Sequence, residues 1–127
     1  MITGTHAIIY AEDPEKARAF LRDVLGWPHI DVHDGWLIFK TPPAELGVHP
    51  ADLSGGPDHA APSGHHELHL MCDDIERTVA ELTGQGVEFT SPIEQAGFGR
   101  LTRFRLPGAG EIGLYQPRHQ TAYDLEG

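Results

Sequence analysis

Short apolar runs ending in acidic turns occur twice along the chain. The first is His6-Ala7-Ile8-Ile9-Tyr10-Ala11, followed by Glu12-Asp13-Pro14-Glu15-Lys16. The second is Glu67-Leu68-His69-Leu70-Met71-Cys72, followed by Asp73-Asp74-Ile75-Glu76-Arg77. Each reads as a strand, an acidic turn and a helix. Further along each half, Glu45-Leu46-Gly47-Val48-His49 matches Glu111-Ile112-Gly113-Leu114-Tyr115. Two matches in the same order predict a duplicated module. In the first helix Asp13 is a good N-cap and Pro14 suits the first helical position. Ala17, Phe20, Leu21, Val24 and Leu25 recur at helical spacing before Gly26. In the second, Asp74 caps a stripe of Ile75, Val79 and Leu82 that ends at Gly84 and Gly86. Strands are expected near residues 29–33, 35–40 and 44–49, and again near 87–90, 100–106 and 111–116. Pro107-Gly108-Ala109-Gly110 is a hairpin turn. The order is strand, helix, three strands, twice over. It predicts an α+β fold of two tandem βαβββ modules in one domain: module one at 5–50, a linker at 51–64, module two at 65–118 and a tail at 119–127.

Strand alternation sorts side chains by face. Ala7, Ile9 and Ala11 oppose His6, Ile8 and Tyr10, while Leu68, Leu70 and Cys72 oppose Glu67, His69 and Met71. Leu46 and Val48 oppose Glu45, Gly47 and His49, while Ile112 and Leu114 oppose Glu111, Gly113 and Tyr115. The apolar face of each strand is expected to pack on its own module's helix. The other face mixes carboxylates, imidazoles, aromatics and glycines, which suits the wall of a small-molecule cleft; a solvated face or a dimer interface is the plainer alternative.

Composition narrows the partners. The 127 residues carry 19 Asp+Glu against 9 Lys+Arg, a formal net charge of -10. That sign repels phosphate backbones and anionic lipid heads, so neither nucleic acid nor membrane is an expected partner. The single Cys72 excludes an internal disulfide and is read as a buried strand residue. No segment reads as a secretory signal or a membrane span, and a cytoplasmic location is expected. His66-Glu67 begins a zincin motif, but Leu70 stands where the second His is required. Arg100, Arg103 and Arg105 read as a solvated strand face. Gly97-Phe98-Gly99 reads as a turn or as a loop able to close Phe98 over a ligand.

These residues resemble the vicinal oxygen chelate superfamily, the group of glyoxalase I, bleomycin-resistance proteins and extradiol dioxygenases. The resemblance rests on the duplicated order and on His6 standing seven before Asp13. It rests also on Phe20-Leu21-Arg22-Asp23-Val24-Leu25-Gly26-Trp27 and on Leu106 to Tyr115. It implies a curved mixed sheet around a cleft, a homodimer and, in metal-dependent members, one divalent ion. Carried over by position, the metal ligands fall on His6, Gly47, Glu67 and Gly113. Two glycines cannot coordinate, which favours no metal. A shifted set of His6, His49, Glu67 and Glu111 suits Zn, Ni, Fe or Mn, but it needs a register change of two residues, about 6.6 Å.

Two functions follow. One is a metal-assisted lyase, isomerase or oxygenase, with Glu67 or Glu111 exchanging a proton. The other is a metal-free protein that binds or sequesters a small molecule. Tyr10, Glu45, His69, Met71, Phe98 and Tyr115 are the candidate ligand-binding residues.

Overall fold

The computed structural model describes residues 1–51 and 61–126. Most of the expected linker, residues 52–60, lies outside the described residues. The first helix, α1, spans Pro14–Ala19, and the Asp13 carboxylate accepts from Lys16 N at 3.2 Å. The chain then widens into one π turn over Phe20–Val24, where Leu25 N donates to Phe20 O five residues back. The strands β1 (His29–Asp31) and β2 (Leu37–Phe39) pair antiparallel as a separate ribbon. Module two is complete. Its elements are β3 (His69–Met71), α2 (Ile75–Gly84), β4 (Glu94–Ala96), β5 (Gly99–Arg105) and β6 (Glu111–Pro117). They form a mixed sheet of order β3-β6-β5-β4, with β3 parallel to β6 and the other pairs antiparallel. The fold is α+β, and the sheets do not close into a barrel.

The hairpin β5–β6 sets the geometry. Leu106 N donates to Gly110 O at 2.7 Å across the turn, and seven residue pairs follow in register from Arg105↔Glu111 to Gly99↔Pro117. Alternation then puts Thr102, Phe104, Ile112 and Leu114 on one face, where all four are buried. Both helices cover that face: Ala17 and Phe20 share one core cluster with Ile75, Phe104 and Leu114. The Phe104 ring lies 6.0 Å from Phe20 and 5.6 Å from Phe89. Gly108 closes the joint. Its φ of +79° is open to glycine, and a Cβ there would collide with Asp13 O. Asp13 N in turn donates to Gly108 O at 3.1 Å.

Module one departs from the sequence reading in two respects. Its helix packs on module two's sheet instead of its own, because the Phe20–Phe104 contact gives that helix its apolar partner. The strands expected over 5–11 and 44–49 do not form. A strand is held by a ladder partner, and among the described residues these segments have none: Ile8, Tyr10, Leu46 and Val48 are exposed. The strand expected near 87–90 shrinks to one bridge, Phe89↔Phe104. β4, which had no counterpart in the sequence reading, forms by folding back on β5 through Gly97-Phe98.

Phe104 is fully buried, so Phe104→Ala is expected to cost about 3–5 kcal/mol. Urea unfolding followed by circular dichroism measures it. A loss below about 1 kcal/mol would show that the two helices do not depend on this contact.

Candidate functional site

The uncovered face of module two's sheet carries the chemistry. Register aligns His69, Gly113 and Arg103 across three strands, and Met71, Tyr115 and Leu101 one step further along. Gly113 has no side chain, and the His69 imidazole occupies the space above it. A Cβ at Gly113 would collide with His69 Nδ1 and stand 2.6 Å from Cε1. His69 Nε2 then reaches Glu67 Oε2 at 2.9 Å. His65 Nε2 meets Glu67 Oε1 at 3.2 Å, and Arg103 Nη2 lies 3.7 Å from Oε2. Three basic groups thus surround one carboxylate. The hydrogen bond from His69 holds Glu67 below the usual carboxylate range; burial opposes it, and the His65 hydrogen bond and the charges of His69 and Arg103 add to it. A carboxylate held ionised this way is a weak proton acceptor at neutral pH.

A second group lies beyond Gly113. The rings of His49, Phe98, Tyr115 and His119 follow one another at 6.2, 5.8 and 5.9 Å between centroids. Tyr115 Oη and Arg118 N both donate to Phe98 O, at 3.0 and 2.9 Å, which fixes the Phe98 loop on β6. Burial, and then the charge of Glu45, push the Tyr115 phenol up. Beside this row, at the C-terminal ends of β3 and β6, lies a cleft of about 720 Å³. Met71, Cys72 and Asp73 line it, together with His119, Thr121 and Tyr123 from the tail. Cys72, expected as a buried strand residue, lies one position past β3 and is half-buried, and burial pushes its thiol up.

The candidate residues fall into three positions. Glu67, His69, Met71 and Tyr115 belong to this sheet face, and Glu45, His49 and Phe98 reach it from loops. Glu111 opens β6 at the hairpin end, opposite Arg105, and is exposed. His6 and Tyr10 lie on the exposed N-terminal segment, outside the sheet. The shifted metal set is therefore not assembled. Among the described residues no group of three or more His, Cys, Asp or Glu side chains is arranged to hold a metal ion. The donors present do not fit one: Glu67 is already engaged by His65, His69 and Arg103, and the Gly113 position is covered by an imidazole. Arg103 and His119 were missed as site residues. Counting back from the hairpin turn shows that Arg103 shares a face with Gly113, so register could have found it. His119 lies in a tail without periodicity and carried no signal.

The geometry is that of an α+β protein with one open sheet face that mixes imidazole, carboxylate, guanidinium and aromatic side chains. Residues 5–113 match the Glyoxalase/Bleomycin resistance protein/Dioxygenase superfamily, and the chain belongs to it. No curated protein matches this chain. Among solved structures, it is similar to TnmS3, an antibiotic binding protein from Streptomyces sp. CB03234. The identity is 25%, over 91% of this chain and 97% of that one, with a TM-score of 0.60. A superfamily member from Sphaerobacter thermophilus DSM 20745 is 29% identical, over 91% and 98%, with a TM-score of 0.60. Lactoylglutathione lyase from Agrobacterium tumefaciens shares the fold at 18% identity, over 90% and 96%, with a TM-score of 0.56. Among the described residues no helix is long and apolar enough to cross a membrane.

A depressed carboxylate pKa contributes stability above its unfolded value and loses it as pH falls through the folded value. Glu67→Gln is therefore expected to cost about 1 kcal/mol at neutral pH, after screening of a half-exposed pair. That gap should close as pH drops below about 4.5, the ordinary value of the group. Urea midpoints of both proteins across that range read it. A gap that widens toward acid would contradict the assigned direction.

Proposed function

We propose that this protein binds a small organic molecule without a metal, as a binding or sequestering member of its superfamily. One observation carries the reading: His69 covers Gly113, and Glu67 is neutralised by the chain's own basic side chains instead of by a cation. What remains on the face is hydrogen-bonding and aromatic surface. Tyr115 and Phe98 supply ring contacts, while His69, Met71 and Glu45 frame them. Similarity to an antibiotic binding protein supports the same class. The enzyme reading needs Glu67 or Glu111 as a proton carrier. The lowered pKa of Glu67 speaks against it, and Glu111 lies at the exposed hairpin end.

Protein purified without a histidine tag should contain well under one equivalent of metal and still bind planar aromatic probes. Tyr115→Ala and Phe98→Ala should each weaken that binding by about tenfold, the effect of losing one ring contact. Calorimetry and elemental analysis measure both. One tightly held Zn, Ni, Fe or Mn per chain would overturn the reading.

The same proposal makes the protein a homodimer acting in the cytoplasm. Among the described residues, segments 5–11 and 44–49 pair with no strand and expose Ile8, Tyr10, Leu46 and Val48, and the outer edge of β3 has no neighbour in its sheet. Such groups are templates for strand pairing with another chain. Light scattering should give twice 13.9 kDa. A mass of one chain at micromolar concentration would refute the dimer.

A further inference from the structure

The family match ends at residue 113, yet the chain folds back over the site after it. Ala122 N donates to Glu45 Oε1 at 2.9 Å, a bond between residues 77 apart in the sequence. His119 Nε2 lies 3.7 Å from Glu45 Oε2, and that carboxylate side chain is only 18% exposed. The carboxylate thereby ties residues 119–122 of the tail to the 44–49 segment of module one. The tail held in this way contributes His119, Gln120, Thr121 and Tyr123 to the lining of the 720 Å³ cleft, together with Met71 and Cys72 from the end of β3.

We propose that Glu45 latches the tail as one wall of a ligand seat that takes a planar, neutral or cationic organic molecule able to donate hydrogen bonds. This deepens the binding reading above by naming the seat and the class of its occupant. The cleft is open to solvent and has room to seat a small organic molecule against the tail. Met71 and Cys72 offer polarisable, weakly polar surface, and Tyr123 offers a ring. The carboxylate of the lining is Asp73 and its imidazole is His119, which lies beside Glu45; no Lys or Arg is among the residues that line the cleft. Gln116 is already committed, its Oε1 accepting from Ile75 N at 2.8 Å. An anion would meet an acidic rim in a chain of net charge -10, whereas a cation or a donor meets an acceptor.

Cys72 lines the seat and is the chain's only thiol, so its labelling rate reads the wall directly. A neutral dipyridyl disulfide would be reacted with wild type, Glu45→Ala, Glu45→Gln and a chain ending at Pro117. Melting curves would confirm that each variant is folded. Glu45→Ala and the truncation are expected to label about tenfold faster, the opening that follows loss of one hydrogen bond to a charged group. Glu45→Gln keeps an oxygen for Ala122 and should stay within about threefold of wild type. Thioflavin T, a planar cation, should bind wild type, slow the labelling of Cys72 and lose affinity on truncation; anilinonaphthalene sulfonate, an anion, should not compete. Labelling unchanged in both Glu45→Ala and the truncated chain would overturn the latch, and tighter binding of the anion would overturn the ligand class. Thioflavin T binding that Tyr115→Ala abolishes, without protection of Cys72, would overturn this seat while leaving the open sheet face as the binding site. If the truncated chain fails to fold, Glu45→Ala alone decides.

Discussion

The register of β5 against β6 decides which side chains enter the core and which meet solvent. A sheet has two faces and a period of two, so one residue of slip would exchange them. The turn at Pro107-Gly108-Ala109-Gly110 prevents that slip, and Gly108 is pressed against Asp13 so closely that no other residue fits there. With the register fixed, Phe104 and Leu114 must face the helices, and Arg103, Gly113 and Tyr115 must face the site. Core and site are thus two readings of one hairpin. A change that loosened the turn would disturb both together.

The glycine at 113 shows how a family fold changes its chemistry without changing its backbone. A side chain there could point at a bound ion. Without one, the neighbouring strand's His69 lies down over the gap and turns its Nε2 toward Glu67. Arg103, across the other strand, adds a permanent cation to the same carboxylate. The negative charge that would otherwise attract a metal is met from within the protein. Lactoylglutathione lyase shares this fold at low identity, so backbone likeness alone does not carry the activity across.

Local signals were legible in the sequence where their cause is local. Asp13 and Asp74 cap their helices as their positions predicted, and each carboxylate accepts from the backbone three residues on. The hairpin turn and the alternation of Ile112 and Leu114 against Gly113 and Tyr115 were equally plain. What the pattern could not specify was the partner. Alternation in 5–11 and 44–49 says that these segments suit a strand, yet a strand exists only where another backbone completes its hydrogen bonds. The same limit hid the packing of Phe20 on Phe104, which joins residues 84 apart in number. Arg103 looked like a solvated residue because one strand was read at a time; laid beside Gly113 and Glu67, it becomes part of the site. The mixed chemistry of the face was legible, but the pairing of Glu67 depended on His65 from a loop, His69 from β3 and Arg103 from β5.

Charge is distributed unevenly over the sheet face and the cleft beside it. The chain carries a formal excess of ten acidic groups, but they are not uniformly available. Glu76, Glu81 and Glu88 are taken by Arg100, Arg77 and Arg105 on the outer surface. Glu67 is matched by two imidazoles and a guanidinium on the sheet face, and Glu45 is occupied with the tail. Asp73, by contrast, borders the cleft, is exposed, and is not paired with a cation among the described residues. The sheet face is therefore nearly balanced in charge while the cleft beside it keeps an acidic edge. A ligand spanning both would place its aromatic part against Tyr115 and Phe98 and its donor or cationic part toward Asp73. Orientation of that kind comes from a gradient across a few ångströms, and it requires that Arg103 satisfy Glu67 first.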